Sequence, residues 1–300
     1  MPTTQVNHTD IVHSPATLIE IALTSTNPDV LEAIYNMPEY KTKSRRQEEW
    51  KPKNLKEFVS VNPYISQNLI KQILSLKSKR FDRLLAINSA LDKEALFIIY
   101  NRATLDIKKA LSTNSNLSIE LFKELLNEDL EVIKALLLTQ NITKEHLELI
   151  PNEYLIYLAS NLNIKDVIKS LLNKTKELDI AISKNPLLES NTLEDLYKQY
   201  KEQIAFNITQ NPNTPAFILK EIYSSAPKEI ILNIAKNPNT PEAIIDELFN
   251  QNNQEINRAL ALNSNLKDEY LDYFKLDSEL LRIMSQNSKF LDKVSKKEPI

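Results

Sequence analysis

The 300-residue chain contains no glycine and no cysteine, and only three histidines, His8, His13 and His146. Each absence removes a class of chemistry. Walker-type phosphate loops, GxGxxG dinucleotide turns, GxSxG nucleophile elbows and EF-hand loops all use glycine for backbone conformations that other residues resist. Without cysteine there are no disulfides, thiolate metal ligands or cysteine nucleophiles, a usage that fits a reducing compartment. The histidines are too scattered for an HExxH-type zinc site. We therefore expect no metal, no cofactor and no catalytic residues. An enzyme built on Asp, Glu, Lys or Tyr alone is the route left open, and no spaced motif supports it.

Other classes fall to charge and hydropathy. The formal net charge of −3 and pI near 5.8 argue against a general nucleic-acid coat, which calls for a strongly basic domain. The start, MPTTQVNHTD, has neither a basic region nor an apolar core, so no secretory signal is expected. No run of 18 apolar residues occurs, so no membrane span is expected. The expected location is the cytoplasm. Apolar residues at 42% and charged residues at 26% are ordinary for a folded chain.

What the chain does have is asparagine at a nearly fixed period. Asn36, Asn62, Asn88 and Asn114 are 26 residues apart, as are Asn185, Asn211, Asn237 and Asn263, with Asn161 and Asn287 continuing the row. Between Asn114 and Asn161 the anchor is read as Thr139, giving steps of 25 and 22. A period of this length marks a stacked repeat, because one unit is too small to bury its own apolar face.

Counting from each anchor, positions +7, +8, +11 and +12 are apolar: Leu69, Ile70, Ile73 and Leu74, or Ile218, Leu219, Ile222 and Tyr223. Spacings of three and four define a helix face. Asp92, Ser118 and Thr143 at +4 are placed to cap that helix, and Thr214-Pro215 and Thr240-Pro241 read as a hydroxyl cap before a proline at the first helical position. A shorter second helix runs to the next anchor, with Leu111 and Leu136 facing inward. The anchor then follows a helix end, where a left-handed Asn commonly replaces glycine. Its side chain can bond the following turn, and stacking would align the amides in a ladder.

NPNTP, at Asn211 to Pro215 and Asn237 to Pro241, resembles the signature of the variant leucine-rich repeat family, with NPYIS, NPLLE, NSNLS and NSNLK as weaker copies. The resemblance implies alternating α- and 3₁₀-helices in a right-handed superhelix related to HEAT and armadillo arrays. The period here is a residue or two longer than that family's, which leaves room for second helices that are fully α. The cysteine cluster of some members is missing, so no iron–sulfur role is implied. The fold class expected is all-α: a right-handed α-solenoid of about eleven two-helix units of 22–26 residues. Residues 1–10 would form a tail, 11–286 the repeat domain, and 287–300 a polar cap and tail.

One unit breaks the pattern. Between Asn36 and Asn62 the four helix positions become Lys43, Ser44, Gln47 and Glu48, so 36–61 reads as a degenerate polar repeat with no face to bury. Its segment from Tyr40 to Lys53 is either a solvated polar stretch or a binding element. For binding it offers Lys41, Lys43, Arg45 and Arg46 beside Trp50, the only tryptophan, and Arg and Trp dominate interface energetics. KTKSRR also looks like a short nuclear-import signal, a common pattern.

Five residues before the anchors lie Arg83, Lys109, Lys134, Arg258 and Arg282, interrupted by Ile156, Ile180, Phe206 and Leu232. Arg83, Lys109 and Lys134 would form a basic stripe, either free to dock a partner or paired with neighbours such as Asp82, Asp106 and Glu131. The functional expectation is a non-enzymatic protein-binding scaffold whose partner presents an acidic surface. The alternative is a HEAT-like nucleic-acid binder using the basic stripe.

Overall fold

A computed structural model describes residues 15–38 and 52–295. Every regular element among them is helical. The chain divides into two compact units, Met1–Asn141 and Ile142–Ile300. The division falls in the one interval where the asparagine period fails.

The apolar periodicity accounts for the first helices of both units. In the first, Gln67–Ser75 buries Leu69, Ile70, Ile73 and Leu74, Lys93–Tyr100 buries Ala95, Leu96 and Ile99, and Ile119–Leu125 buries Leu121, Phe122 and Leu125. In the second, Ala216–Tyr223 and Glu242–Asn250 bury the matching residues, Ile218, Leu219 and Ile222, then Ile244, Ile245 and Leu248. Each such side chain stabilises the fold by roughly 1.5–3 kcal/mol relative to exposure. Ser66, Asp92 and Ser118 cap these helices, their oxygens accepting from the backbone N–H three residues on at 3.1, 2.8 and 3.2 Å. Thr143 and His146 form a reciprocal capping box.

The two Thr-Pro starts behave differently from expectation. Pro215 and Pro241 are themselves the caps, with ψ of 140°, and neither helix has a side-chain cap bond. Thr214 and Thr240 are buried, and their hydroxyls donate backward to Ile208 O and Ile234 O, both at 2.5 Å. The third position after the anchor is otherwise a buried apolar residue, as at Ile65, Leu91, Leu188 and Leu266. A threonine there must bury its hydroxyl, and the nearest open acceptor is the last turn of the preceding helix.

The second helices pack in series within each unit. In the first, Leu55–Ser60 packs on Lys79–Ala86, which packs on Leu105–Leu111, which packs on Leu130–Thr139. In the second, Ala205–Ile208, Lys228–Lys236, Gln254–Leu260 and Ser278–Met284 form the corresponding series. Most second helices are α-helical; among the described residues only Asn152–Ser160 and Lys201–Ile204 are 3₁₀. The strict α/3₁₀ alternation implied by the family resemblance is therefore not what these residues adopt.

Within each unit, asparagine amides join successive repeats. Asn88 Nδ2 donates to Ser60 O at 2.8 Å and Asn62 O at 3.0 Å, and Asn114 repeats the pair on Ala86 O and Asn88 O at 2.8 and 3.0 Å. Asn211, Asn237 and Asn263 do the same on carbonyls 28 and 26 residues back, at 2.7–3.0 Å. The acceptor oxygen takes the N–H two residues on, as in Asn211 Oδ1 with Asn213 N at 2.9 Å. A second row lies two residues later, where Asn116, Asn213 and Asn239 donate to carbonyls of the previous unit. That row explains why the motif reads N-x-N.

The left-handed expectation for the anchors fails. Asn161 and Asn237 are extended, with φ/ψ of −77°/129° and −72°/129°. Among the described residues positive φ occurs at Lys77, Asn173, Lys201 and Asn252. These four follow the helices Gln67–Ser75, Ile168–Leu171, Ser190–Tyr200 and Glu242–Asn250. The left-handed turns thus sit elsewhere, and the anchor works through its side chain.

Two anchor positions also shift. Gln140, not Thr139, replaces the missing asparagine: its Nε2 donates to Ser112 O at 2.8 Å and Asn114 O at 2.9 Å, and it is buried while Thr139 is exposed. The step from Asn114 is then 26 residues, and the next, to Asn161, is 21. The extra methylene of glutamine lets it reach the same two carbonyls from a helix that runs to Thr139. Asn36 is the other departure. It is exposed and helical at φ −84°, and Asn62 reaches past it to Ala22 O and Ser25 O at 2.9 and 3.0 Å. Pro15–Thr24 therefore stands where a preceding second helix would, and Pro28–Tyr35 and Leu55–Ser60 are the helices of one unit.

The anchor assignment is open to a simple test. Gln140→Ala leaves buried carbonyls without their donor and should cost roughly 1–3 kcal/mol, while Thr139→Ala should cost clearly less. Urea midpoints of the two variants decide; the reverse order would restore Thr139 as the anchor.

Candidate functional site

The basic row of the first unit is internally paired. Arg83 Nη1 lies 3.4 Å from Asp106 Oδ2, Lys109 Nζ 3.7 Å from Glu131 Oε2, and Lys134 Nζ 3.1 Å from Glu131 Oε1. The structure thus brings the three cations together in one row, with carboxylates between them. With the anchor at Gln140, Lys134 stands six residues before it and Ala135 takes the fifth place. Such half-exposed pairs contribute little to stability, but they neutralise the stripe as a docking surface for an acid. Lys41, Lys43, Arg45, Arg46 and Trp50 lie outside the described residues.

The second unit carries a different row at the same place. Five residues before Asn161, Asn185, Asn211 and Asn237 stand Ile156, Ile180, Phe206 and Leu232. Ile156 and Phe206 are exposed, Phe206 at 53%, and Ile180 and Leu232 are half-buried. Their helices are neighbours: Asn152–Ser160 packs on Lys176–Ile182, and Ala205–Ile208 packs on Lys228–Lys236. Asn207 Nδ2 joins the middle pair through Ile180 O at 2.6 Å. Helices packed this way lie about 8–10 Å apart, so Ile156 with Ile180 and Phe206 with Leu232 form neighbouring pairs, an apolar stripe at one register position. Lys184 and Lys236 stand one residue before their anchors, are exposed, and form no ion pair among the described residues. Leu232 and Lys236 share a helix face at i, i+4. The sequence showed these apolar residues only as gaps in a basic row, and their common register was the signal that they form a row themselves.

A further set of positions bridges successive repeats within each unit. In the first, the residue six before an anchor meets the residue fourteen after it. Asp82, buried, takes Arg102 Nε at 2.8 Å and Nη2 at 2.5 Å. Lys108 meets Glu128 with the charges exchanged, Nζ to Oε1 at 2.6 Å, and Tyr100 adds its hydroxyl at 2.7 Å. Burial alone would raise the Glu128 carboxyl, but the bonds from Lys108 and Tyr100 outweigh it and hold its pKa below the ordinary value. In the second unit Asp179 takes the Tyr200 hydroxyl at 2.6 Å, and that bond, with burial, pushes the phenol up to about 12.

Three of these slots in the second unit are open. Cavities of about 800, 820 and 390 Å³ lie at Leu155 and Thr175, at Ala205 and Ser225, and at Asn257 and Asp277. In each, the two positions that meet in the first unit carry residues that do not join. Among the described residues no group of three His, Cys, Asp or Glu side chains is arranged to hold a metal ion, and no helix is long and apolar enough to cross a membrane. No protein-family model matches the chain, and no curated protein or solved structure matches it.

Reversing the basic row tests its role. The triple variant Arg83→Glu, Lys109→Glu, Lys134→Glu sets like charges beside Asp106 and Glu131, so it should lose roughly 1–2 kcal/mol in low salt. The loss should largely vanish near 1 M salt, where the screening length is about 3 Å. A loss that salt leaves unchanged would mean that these side chains support packing instead.

Proposed function

We propose that the protein is a non-enzymatic binding scaffold, an α-solenoid whose second-helix face takes an acidic, apolar-bearing segment of another protein. The observation that carries this reading is the apolar row of exposed Ile156 and Phe206 and half-buried Ile180 and Leu232, with Lys184 and Lys236, which form no ion pair among the described residues, beside it. Contiguous exposed apolar surface is a mark of interaction sites, and an exposed aromatic at its centre is the usual anchor type. The two lysines fix the sign of the partner's charge. By residue type, Lys41, Lys43, Arg45 and Arg46 with Trp50 suit the same acidic chemistry as a second contact element. The resemblance of NPNTP to variant leucine-rich repeats and the amide ladder both support the right-handed solenoid architecture.

Nucleic-acid binding is the weaker alternative, because the cations of the basic stripe each face a carboxylate. The architecture has its own check. Small-angle scattering should give a radius of gyration well above the roughly 19 Å of a compact domain this long; a value near 19 Å would overturn the solenoid.

For the binding face, peptides selected from a random library on the immobilised chain should be rich in Asp and Glu interspersed with Leu, Ile or aromatic residues. Phe206→Asp should weaken them at least about tenfold, as for loss of a central anchor, while the Arg83, Lys109, Lys134 triple reversal should leave them unchanged. Peptides insensitive to Phe206→Asp would place binding elsewhere. A preference for duplex DNA, with affinity falling steeply with salt, would favour the nucleic-acid alternative.

A further inference from the structure

The slot at Asn257 has a filled counterpart in the same chain. Aligned on their anchors, Asn88 and Asn263, the two neighbourhoods correspond residue by residue. Gln67–Ser75 matches Glu242–Asn250, Lys79–Ala86 matches Gln254–Leu260, and Lys93–Tyr100 matches Asp268–Phe274. Lys77 and Asn252, eleven residues before their anchors, both have φ of 50°. In both turns that residue's N–H bonds a helix-end carbonyl at 3.1 Å, Leu74 O in one and Phe249 O in the other. Asp82 and Asn257 occupy the same place and are both buried, at 1% and 8% exposure.

The occupants differ. In the first slot the Arg102 guanidinium binds Asp82 through Nε and Nη2, and Nη2 also donates to Leu74 O at 3.0 Å. The residue in Arg102's place in the second slot is Asp277, which supplies no donor and instead caps the next helix through Glu279 N and Leu280 N. Asn257 Oδ1 is left buried without a hydrogen-bond partner, at the wall of a cavity of about 390 Å³. Buried acceptors are rarely left unpaired in native folds, and one that is calls for a donor.

We propose that this slot is a receptor for an arginine side chain presented by a partner protein, with the guanidinium taking the place that Arg102 takes in its own slot. Asn257 Oδ1 is the acceptor equivalent to the Asp82 carboxylate, and Phe249 O is equivalent to Leu74 O. Asp277 sets a negative charge at the entrance in place of the missing cation. Guanidinium is favoured over ammonium because the template is a forked, planar contact with acceptors on two sides. Tyr273 lines the cavity with its ring held edge-on to Phe249 at 5.4 Å, which offers a face for the cation to stack on. The source is a peptide chain and not the free amino acid. Leu276 at the rim is 85% exposed and Tyr273 54%, an apolar border for neighbouring peptide residues, while the carboxylate of free arginine would face Asp277. This site uses none of the residues of the apolar stripe, so the two assignments stand or fall separately.

The test is titration of the full chain with N-acetyl-arginine-amide, followed by the side-chain amide resonance of Asn257. A saturable shift is expected, with the lysine analogue weaker by roughly tenfold because it cannot bridge two acceptors. Asn257→Asp should tighten binding by restoring the carboxylate of the filled slot. Asp277→Arg should abolish it by filling the slot in cis; should that variant not fold, Asn257→Leu must abolish binding instead, read from the Tyr273 resonances. The proposal is overturned if no saturable shift occurs, if the lysine analogue binds equally, or if neither variant affects binding. Free arginine binding as tightly as the blocked form would overturn the peptide source and assign the slot to a small guanidino compound.

Discussion

A polar constraint shapes every unit: the carbonyls at the end of each second helix point toward the next unit, where water is excluded. An unpaired carbonyl there costs about as much as a lost hydrogen bond. One asparagine amide satisfies two of them across the boundary and closes its own turn with its oxygen. The side chain is short enough to be held rigid and carries two donors and an acceptor on one plane. Ser or Thr has a single donor, and Asp, ionised, has none. That is why the position is nearly invariant along the chain while the residues around it drift, and why glutamine is the one substitute that restores both bonds.

How much of this was legible in the sequence follows from the same constraint. The helices were readable because burial of Leu69, Ile70, Ile73 and Leu74 or their equivalents needs only periodicity. The ladder was readable because an invariant polar residue in an apolar frame must bond something. The anchor's backbone conformation was not, since a left-handed Asn and an extended one read alike until the side-chain partners are known. Thr139 stands one residue from the true anchor, and of the two only Gln140 has the amide that the carbonyls need. Asn36 kept the 26-residue interval by coincidence, and period alone could not show that Asn62 skips over it to Ala22 and Ser25.

The surfaces were less legible than the frame, because charge in a sequence has no neighbours. Arg83, Lys109 and Lys134 looked like a stripe until Asp106 and Glu131 came between them. Ile156, Ile180, Phe206 and Leu232 interrupt that row in the sequence, yet they share its register, with Ile156 and Phe206 exposed and Ile180 and Leu232 half-buried. Lys184 and Lys236 are indistinguishable in the sequence from ordinary exposed lysines. Their significance comes from standing beside apolar neighbours and having no acid.

Stability and recognition compete for the positions between successive helices. Where the residues six before and fourteen after an anchor join, as Asp82 with Arg102 or Lys108 with Glu128, the slot is closed and the units are clamped. A buried pair of this kind must be complete, because one partner alone leaves an uncompensated polar group in low dielectric. Leu155 and Ala205 avoid the problem by being apolar, so their open slots leave no orphan at that position. Asn257 does not avoid it. Keeping the acceptor while replacing the donor with Asp277 costs stability in the isolated chain, and that cost is recovered only if a donor arrives from outside. A fold that closes such slots with its own side chains elsewhere shows that the chemistry was within reach, which makes the open acceptor a feature of recognition and not a lapse in packing.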